Sequence, residues 1–181
     1  MSATTGGSAV DSAPEEFAYC PRCATPLVTR PVMDKLRRVC PACNYVYFTD
    51  PKVGVGVMVV ENGRLLLVRR GMPPEKGKWS IPAGFVDRGE DPQETAVREA
   101  EEETGLQVQI TGLVDVYFNP SVRPNHPGAS IFILYRAECT GGQLQAGDDA
   151  AAAAFFTLDE LPEIAFASTH DAIQRLRAAQ S

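Results

Sequence analysis

One short segment of the chain, residues 87–103, concentrates negative charge. It contains eight acidic and two basic residues, so its net charge of −6 equals that of the whole chain. Glu99, Glu102 and Glu103 follow the i, i+3, i+4 spacing that puts side chains on one face of a helix. Three clustered carboxylates repel one another unless a cation offsets them, and hard divalent cations prefer oxygen ligands. The spacing therefore allows a Mg²⁺ or Mn²⁺ site that also binds phosphate oxygens, but a run of charges taken alone more often forms a solvated helix face, so the surrounding residues must decide between the two.

The same segment carries the signals that begin and end a helix. Asp91 suits the N-cap, Pro92 suits the first helical position, and Glu94 completes an acidic capping box. Gly105 stands where a left-handed residue ends a helix. These signals predict a helix over residues 92–104 whose formation does not depend on its charges.

Residues on both sides of this helix form one long pattern. Its fixed positions are Gly84, Glu90, Arg98, Glu99, Glu102, Glu103, Gly105 and Leu106. The pattern resembles the signature of the Nudix hydrolases, and the segments GKWSIPAG and FFTLDELP resemble the segments that flank it in that family. The resemblance covers residues 51–181. It implies an α/β fold, the Nudix α/β/α sandwich with a mixed β-sheet, preceded here by a small N-terminal zinc ribbon.

The resemblance also implies a reaction and the residues that perform it. Nudix enzymes hydrolyse nucleoside diphosphates linked to another group, and water attacks a phosphorus atom of the pyrophosphate. The implied catalytic residues are Glu90, Arg98, Glu99, Glu102 and Glu103. The implied ligands of Mg²⁺ or Mn²⁺ are Glu99, Glu102, Glu103 and the backbone carbonyl of Gly84. Arg98 would pair with Glu90 or another acid and fix the helix against the preceding loop.

The sequence leaves several candidates for the residue that acts as the general base. In the family it is often a glutamate, either within the pattern or on a later loop just before an aromatic pair, which corresponds here to residues 155–156. Ala152 occupies the place where we expect that acid. Asp148, Asp149 or a glutamate of the helix such as Glu99 would then act as the base.

Two further resemblances guide the substrate prediction. Residues 116–135 resemble the corresponding stretch of ADP-ribose pyrophosphatases, whereas the run expected of NADH pyrophosphatases is absent. The cysteine-bearing segment together with LPEIAFASTH resembles the plant FAD pyrophosphatases. We therefore expect ADP-ribose or FAD as the substrate, ahead of NADH. The candidate substrate-binding residues are Arg69, Arg70 and Arg123 for phosphates and Trp79, Tyr117 and Phe118 for stacking. Such arginines are more often solvated surface residues, and aromatic residues of strands and loops more often belong to the core.

Four of the five cysteines form two C-x₂-C pairs, Cys20 with Cys23 and Cys40 with Cys43. This spacing is typical of zinc sites, and four thiolates around Zn²⁺ make a closed structural site. A segment this short cannot build a sufficient core, so zinc would supply most of its folding energy. Redox-active C-x₂-C motifs are the alternative, but they usually occur singly. Cys139 is left over in a predicted strand, where we expect a small buried apolar side chain.

The cysteine segment also differs in charge from the rest of the chain. Residues 20–43 hold five basic residues and one acid, while the whole chain has a pI near 5.0. A basic patch can contact nucleic acid, but we favour a structural or dimerisation element, and family likeness allows a homodimer. The alternative function is a non-catalytic regulator that senses a nucleotide and contacts nucleic acid through this segment. Tyr47 and Phe48 could line a nucleotide pocket.

Composition along the chain predicts three parts. Residues 1–17 form a disordered tail, residues 18–50 the zinc ribbon and residues 51–181 the catalytic domain. No apolar run approaches the length of a transmembrane helix and no secretory signal is visible, so we expect a cytoplasmic protein without membrane contact.

Local patterns predict the remaining elements of the catalytic domain. The predicted strands are 53–60, 64–70, 108–118 and 130–139, with a strand entering a helical turn at 153–162. A proline-rich loop is predicted at 119–128. Ser168 is predicted to cap a final helix that ends near Ala179 and buries Ile173 and Leu176.

Overall fold

The computed structural model describes residues 17–120 and 129–180. These residues divide into two units, one formed by residues 17–50 and the other by residues 51–120 and 129–180. The tail predicted at residues 1–17 lies outside the described residues apart from Phe17, as does most of the loop predicted at 119–128.

The first unit is built from two cysteine turns and a three-stranded antiparallel sheet. Its strands, in order across the sheet, are β1 (Val28–Val32), β2 (Lys35–Val39) and β3 (Val46–Tyr47). The two turns are closed in the same way, because the N–H of Ala24 donates to the carbonyl of Cys20 and the N–H of Asn44 donates to that of Cys40. Ala24 and Asn44 both have a φ of 56°. The turns therefore share one backbone geometry, and Cys20 and Cys40 are buried together with Leu27.

The second unit contains one seven-stranded sheet. Its strands are β4 (Lys52–Glu61), β5 (Arg64–Arg70), β6 (Trp79–Ser80), β7 (Ala83–Phe85), β8 (Leu106–Pro120), β9 (Ala129–Gly142) and β10 (Ala150–Thr157). The main order is β10-β5-β4-β9-β8, with β6 paired to β5 and β7 paired to β4. β4 and β9 pair in parallel, and the other neighbours pair antiparallel. The prediction of a mixed sheet is confirmed.

The central strand β4 follows directly from its composition. Its Gly/Val-rich residues 54–59 are all buried, as expected for a strand that is covered on both faces. Asn62 and Gly63 connect β4 to β5 with φ values of 50° and 74°, and such a left-handed pair suits a two-residue hairpin. Glu61 faces Arg64 across this turn. The strands predicted at 53–60 and 64–70 are confirmed.

Two helices lie against the two faces of this sheet, α1 (Pro92–Thr104) and α2 (Ala167–Gln180). Because side chains alternate along a strand, β4 contributes to both layers. Val57 packs in a cluster with Ala96 of α1, whereas Met58 packs in a second cluster with Ile173 of α2. The second unit is therefore the predicted α/β/α sandwich. Neither of the helices in the described ranges is long and apolar enough to cross a membrane.

The start of α2 differs from the sequence prediction. The helix begins at Ala167, so the prediction that Ser168 caps it is wrong, and Ser168 lies buried in the first turn. The carbonyl of Phe166 accepts the first helical hydrogen bond, from the N–H of His170 at 3.1 Å. The guanidinium of Arg70 lies 5.0 Å from the ring centre of Phe166. A tertiary contact therefore holds Phe166, the residue directly before the first helical residue.

The end of β8 also differs from the prediction. The strand continues through Asn119 and Pro120, which pair with Ser130 and Ala129 of β9, so the predicted loop begins later than residue 119. β8 lies at the edge of the sheet. An edge strand tolerates proline because one side of its backbone has no partner strand.

Candidate active site

Helix α1 carries the predicted glutamates and is fixed at both ends. The side chain of Asp91 accepts hydrogen bonds from the backbone N–H groups of Gln93 (2.8 Å) and Glu94 (3.3 Å). At the other end Gly105 has a φ of 68°, and its N–H donates to the carbonyl of Glu101 at 2.7 Å. These contacts confirm the predicted helix at residues 92–104. Because both ends are fixed, the position of each glutamate along the helix is fixed as well.

Glu99 lies against the backbone of the sheet at Gly84. A Cβ atom at Gly84 would lie 2.0 Å from the carboxyl carbon of Glu99, so no larger residue fits there while the carboxylate keeps this place. Gly84 belongs to β7 and pairs with Val55 of β4. Burial raises the pKa of Glu99, although the neighbouring Arg98 opposes the shift. Glu99 and Gly84, two of the residues predicted to bind the same metal, therefore lie directly against each other.

Glu103 is the most buried acid of the helix, with 5% of its surface exposed. Its Oε2 accepts a hydrogen bond from the N–H of Ala83 at 2.9 Å. Burial raises the pKa of Glu103 to about 8; the Ala83 N–H opposes this, and the nearby carboxylates of Asp149 and Glu99 add to it. The structure thus places an acid where its negative charge is poorly stabilised by the protein alone.

Arg98 joins three acids of the site. Its guanidinium lies 3.4 Å from Glu90, 3.0 Å from Glu99 and 2.7 Å from Glu102. The same oxygen of Glu90 accepts hydrogen bonds from the N–H of Asp87 and the hydroxyl of Thr95, each at 3.0 Å. The bond from Asp87, followed by those from Thr95 and Arg98, lowers the pKa of Glu90. Arg98 therefore connects the loop before α1 to the glutamates near its C-terminal end.

Two further carboxylates come from the connection between β9 and β10. After burial, the charges of Asp149 and Asp148 contribute to the raised pKa values of Glu103 and Glu99, respectively. The backbone carbonyl of Asp149 accepts a hydrogen bond from the N–H of Gly71 at 2.9 Å. Both candidates for the general base from this segment therefore lie within electrostatic reach of α1.

The chemistry of these residues fits a hard divalent cation. Glu99 and Glu103 place like charges together in a buried setting, and carboxylate oxygens are the ligands that Mg²⁺ and Mn²⁺ prefer. The side chains are not gathered around one point: Glu102 contacts Arg98, while Glu103 accepts a hydrogen bond from Ala83. Within residues 17–120 and 129–180, the set of three or more potential ligands whose atoms lie within 4.8 Å of one another is the cysteine set.

The four cysteines of the first unit converge. Their Sγ atoms are separated by 3.7 Å (Cys20–Cys43), 3.5 Å (Cys23–Cys40) and 3.7 Å (Cys23–Cys43). A tetrahedral Zn²⁺ with Zn–S distances of about 2.3 Å holds its sulfurs about 3.8 Å apart. The geometry is therefore compatible with the predicted zinc site. Cys139 is half-buried in β9 and does not belong to this set.

Two of the predicted stacking residues lie on the opposite face of the sheet from the glutamates. Trp79 and Tyr117 pack in the cluster that includes α2. The ring of Trp79 packs edge-on against Phe156 at 4.8 Å between ring centres. The hydroxyl of Tyr117 donates to Asp171 of α2 at 3.1 Å. These contacts place both rings among the core residues rather than beside α1.

The other substrate-binding candidates have different surroundings. Phe118 follows Tyr117 in the strand, so its side chain points to the α1 face, where 70% of its surface is exposed. Arg70 contacts Phe166 and donates through Nε to the carbonyl of Pro74 at 2.8 Å. Arg69 is exposed in β5, and Arg123 lies outside the described residues.

Tyr47 and Phe48 belong to the first unit. The ring of Tyr47 packs against that of Phe17 at 4.2 Å between ring centres. Phe48 lies beneath the guanidinium of Arg37 at 5.2 Å. Both rings therefore have packing partners within that unit.

Sequence reasoning missed three contributors to the site. Thr95 is 1% exposed and holds Glu90 through its hydroxyl, and the N–H of Ala83 holds Glu103. A backbone contact of Gly147 with Glu103 brings the Asp148 segment to the helix. The glycine directly before two aspartates was a usable signal, because glycine often marks a close approach of two backbones.

Several known proteins are similar to this chain in sequence. A family model described as the NUDIX domain matches residues 50–176. An ADP-ribose pyrophosphatase from Methanocaldococcus jannaschii is 40% identical over 122 residues, which are 67% of this chain and 71% of that protein. The NAD-capped RNA hydrolase NudC from Chromobacterium violaceum is 35% identical over 146 residues, covering 80% of this chain but only 51% of that relative.

Solved structures agree with this similarity. The crystal structure of a NUDIX hydrolase from Nitrosomonas europaea has a TM-score of 0.78 and 30% sequence identity to this chain. The match covers 88% of this chain and 89% of that one. The fold similarity therefore extends over most of both chains.

Proposed function

The chain belongs to the NUDIX family of hydrolases, and we propose that it uses Mg²⁺ or Mn²⁺ to hydrolyse the pyrophosphate bond of a nucleoside diphosphate linked to another group. One observation supports this most directly. Glu99 packs against Gly84 beside the buried Glu103, so carboxylates from the helix meet the sheet backbone in a setting that favours a cation. A solvated acidic helix face would not bury Glu103 to 5% exposure.

The residues of the site would have two different roles, binding the metal and holding the helix in place. The proposed metal ligands are Glu99, Glu102, Glu103 and the carbonyl of Gly84. A bound divalent cation would screen the charges of the diphosphate and polarise its phosphoryl oxygens. Arg98, which already contacts Glu90 and Glu102, would hold the loop and the helix in register while substrate binds.

Hydrolysis then requires a base. Water attacks one phosphorus atom, a carboxylate takes a proton from that water, and the bridging P–O bond breaks. The products are a nucleoside monophosphate and a phosphate ester of the other group. Asp148, Asp149 and Glu99 are the proposed bases, since all three lie at the meeting point of α1 and the β9–β10 connection.

We propose ADP-ribose as the first substrate to test, followed by FAD and then NADH. The relative from Methanocaldococcus jannaschii, named as an ADP-ribose pyrophosphatase, supports this order. The name of the NudC relative keeps nicotinamide dinucleotides in the set. Phe118 is the aromatic candidate for stacking, because it is exposed on the face of the sheet that carries α1.

A substrate panel tests the proposal. The purified protein is incubated with ADP-ribose, FAD or NADH and with Mg²⁺ or Mn²⁺ in ¹⁸O-labelled water, and the products are weighed by mass spectrometry. We expect a nucleoside monophosphate, with the label in one of the two products showing which phosphorus was attacked. No turnover of any pyrophosphate substrate with either metal would contradict the proposed function.

The alternative function is a nucleotide-sensing regulator that binds nucleic acid through the first unit. Arg30 and Arg37 pair across β1 and β2, and Lys35 pairs with Val32, so these cations share one face of the small sheet. Phe48 lies beneath Arg37 at the same face. Fluorescence anisotropy with labelled single-stranded RNA at physiological salt tests this function. Nanomolar binding without hydrolysis of any substrate would favour the regulator over the enzyme.

A further inference from the structure

The connection between β9 and β10 completes the C-terminal end of α1. The last carbonyl groups of a helix have no partner within the helix itself. Here, residues 143–149 supply donors to the carbonyls at the end of α1 and just beyond it. The three bonds run from Gln143 N to Gly105 O (3.2 Å), from Gln145 N to Thr104 O (2.9 Å) and from Gly147 N to Glu103 O (3.1 Å). We name residues 143–149 the clasp segment.

Two glycines permit this close approach. A Cβ atom at Gly147 would lie 2.4 Å from the carbonyl oxygen of Glu102, and a Cβ atom at Gly71 would lie 2.3 Å from that of Asp149. Neither glycine has a positive φ. Glycine is therefore required at these positions by space and not by backbone conformation, since a Cβ that close to a backbone oxygen forces one of the two chains to move.

The last three residues of the clasp segment are attached to two different parts of the fold. Gly147 holds it to the end of α1, and the bond from the N–H of Gly71 to the carbonyl of Asp149 holds it to the end of β5. Asp148 lies between these two attachments, and Asp149 forms the second one through its own carbonyl. Asp148 directly follows Gly147, whose N–H bonds to the carbonyl of Glu103, so the two aspartates lie at the end of α1 that carries the glutamates.

We propose that Gly147 and Gly71 are positioning residues of the hydrolytic site, which hold the carboxylates of Asp148 and Asp149 against the glutamates of α1. This inference rests on the proposed function, because it assigns those two carboxylates a part in the hydrolysis. It goes beyond that function in naming how the chain fixes them.

The first test adds one methyl group at Gly147. Gly147→Ala is expected to displace the clasp segment and lower kcat about 10- to 100-fold while KM stays within about threefold, since a misplacement of about 1 Å has an effect of this size. Gly112→Ala is the matched control, because a Cβ there meets nothing within 4 Å and Gly112 has no positive φ. A folded Gly147→Ala protein with the kcat of Gly112→Ala would overturn the inference.

A double-mutant cycle separates positioning from a general loss of structure. In the Asp148→Asn/Asp149→Asn background, Gly147→Ala is expected to have little further effect on kcat, because the groups that it positions are already gone. If Gly147→Ala lowers kcat by the same factor in both backgrounds, it does not act through these carboxylates. Should Gly147→Ala fail to fold, the asparagine variant alone decides: full activity in that variant contradicts the inference.

Amide hydrogen exchange measures whether the hydrogen bonds of the clasp segment are formed, and it needs no substrate. The N–H groups of Gln145 and Gly147 should be protected in the wild type and in Gly112→Ala, and should exchange faster in Gly147→Ala. If these amides are protected but the wild type hydrolyses nothing, the proposed function fails and the positioning role fails with it, while the clasp itself stands. If the wild type is active and these amides are unprotected, the positioning role fails alone.

Discussion

At the scale of single residues, position on the helix decides what each acid can do. Glu101, Glu102 and Glu103 are consecutive, and each helical residue is rotated by about 100° from the one before it. Glu101 and Glu102 are exposed, whereas Glu103 turns toward the sheet and is buried. The same residue type therefore supplies a solvated surface charge, a partner for Arg98 and a carboxylate held by the N–H of Ala83.

The raised pKa of Glu103 predicts an unusual pH dependence of stability. Its pKa in the folded protein, about 8, lies above its ordinary value of 4.5, so the folded state binds the extra proton. The contribution to stability is therefore fully present below pH 4.5 and is lost as the pH rises to about 8, with a slope of at most about 1.4 kcal/mol per pH unit. Urea unfolding of the metal-free protein at several pH values measures this loss.

Two variants test whether Glu103 causes the loss of stability with rising pH. Glu103→Gln removes the carboxyl group that titrates. The free energy of unfolding of this variant, relative to that of the wild type, should therefore increase with pH between 5 and 8. Glu101→Gln, an exposed neighbour on the same helix, should follow the wild type. Saturating Mg²⁺ should reduce the loss by stabilising the ionised carboxylate. If the wild type and Glu103→Gln show the same pH dependence, Glu103 does not titrate as stated.

Glu102 is predicted to act through the metal rather than through the fold. Glu102→Gln should lower kcat about 10²- to 10⁴-fold, because metal-assisted catalysis is lost, while the protein remains folded. Steady-state kinetics with the best substrate of the panel, together with circular dichroism, measures both effects. Glu101→Gln again serves as the control and should keep the wild-type rate. A Glu102→Gln enzyme of near-normal rate would remove Glu102 from the proposed metal site.

At the scale of elements, α1 is stabilised by its ends and by its small apolar side. Ala96 and Ala100 are 1% and 0% exposed, so the helix lies close to the sheet and brings Glu99 and Glu103 with it. Its first turn is satisfied by Asp91, and the carbonyls at its end are satisfied by the clasp segment. The helix needs such support because its last turn carries no basic residue to offset the dipole.

The N-cap of α1 can be tested separately from its charges. Asp91→Ala should lower the free energy of unfolding by about 1 kcal/mol, because the N–H groups of Gln93 and Glu94 lose their acceptor. Asp91→Asn keeps an acceptor at the same place and should lose much less. Urea denaturation of the three proteins measures the difference. Equal losses in both variants would show that the charge of Asp91, not its capping bond, stabilises the helix.

At the scale of the whole molecule, the two units achieve stability by different means. The second unit has two apolar clusters, one on each side of its sheet. The first unit has one small cluster of three buried residues, two of which are cysteines. A core of this size does not stabilise a fold by burial alone, so the four convergent thiolates are expected to bind a structural Zn²⁺.

Zinc content of cysteine variants tests the first unit. We expect about one Zn²⁺ per chain in the wild type, measured by mass spectrometry of the purified protein. Cys43→Ser should lose most of the metal, whereas Cys139→Ser should keep it because Cys139 lies in β9 of the other unit. Removing zinc with a chelator should abolish the NMR signals of residues 17–50. Wild-type protein with substantially less than one zinc per chain would count against the site.

Some of the site follows from local sequence, because helix geometry and capping act over a few residues. The spacing of Glu99, Glu102 and Glu103 and the signals at Asp91 and Gly105 predicted the helix and its ends. The strand alternation around Tyr117 and Phe118 also acts locally, and it shows that two adjacent residues cannot both reach the α1 face. The prediction that grouped them as one stacking set did not apply this rule.

By itself the sequence determined the family pattern, the limits of α1 and the two cysteine turns, because each depends on residues that are close along the chain. Only the tertiary structure decided which glutamate is buried, where Asp148 and Asp149 lie, and where α2 begins. These outcomes depend on strands and loops that meet across tens of residues, through contacts such as those of Gly147 with Glu102 and of Arg70 with Phe166. Local propensities carry no information about such contacts, because long-range packing sets them.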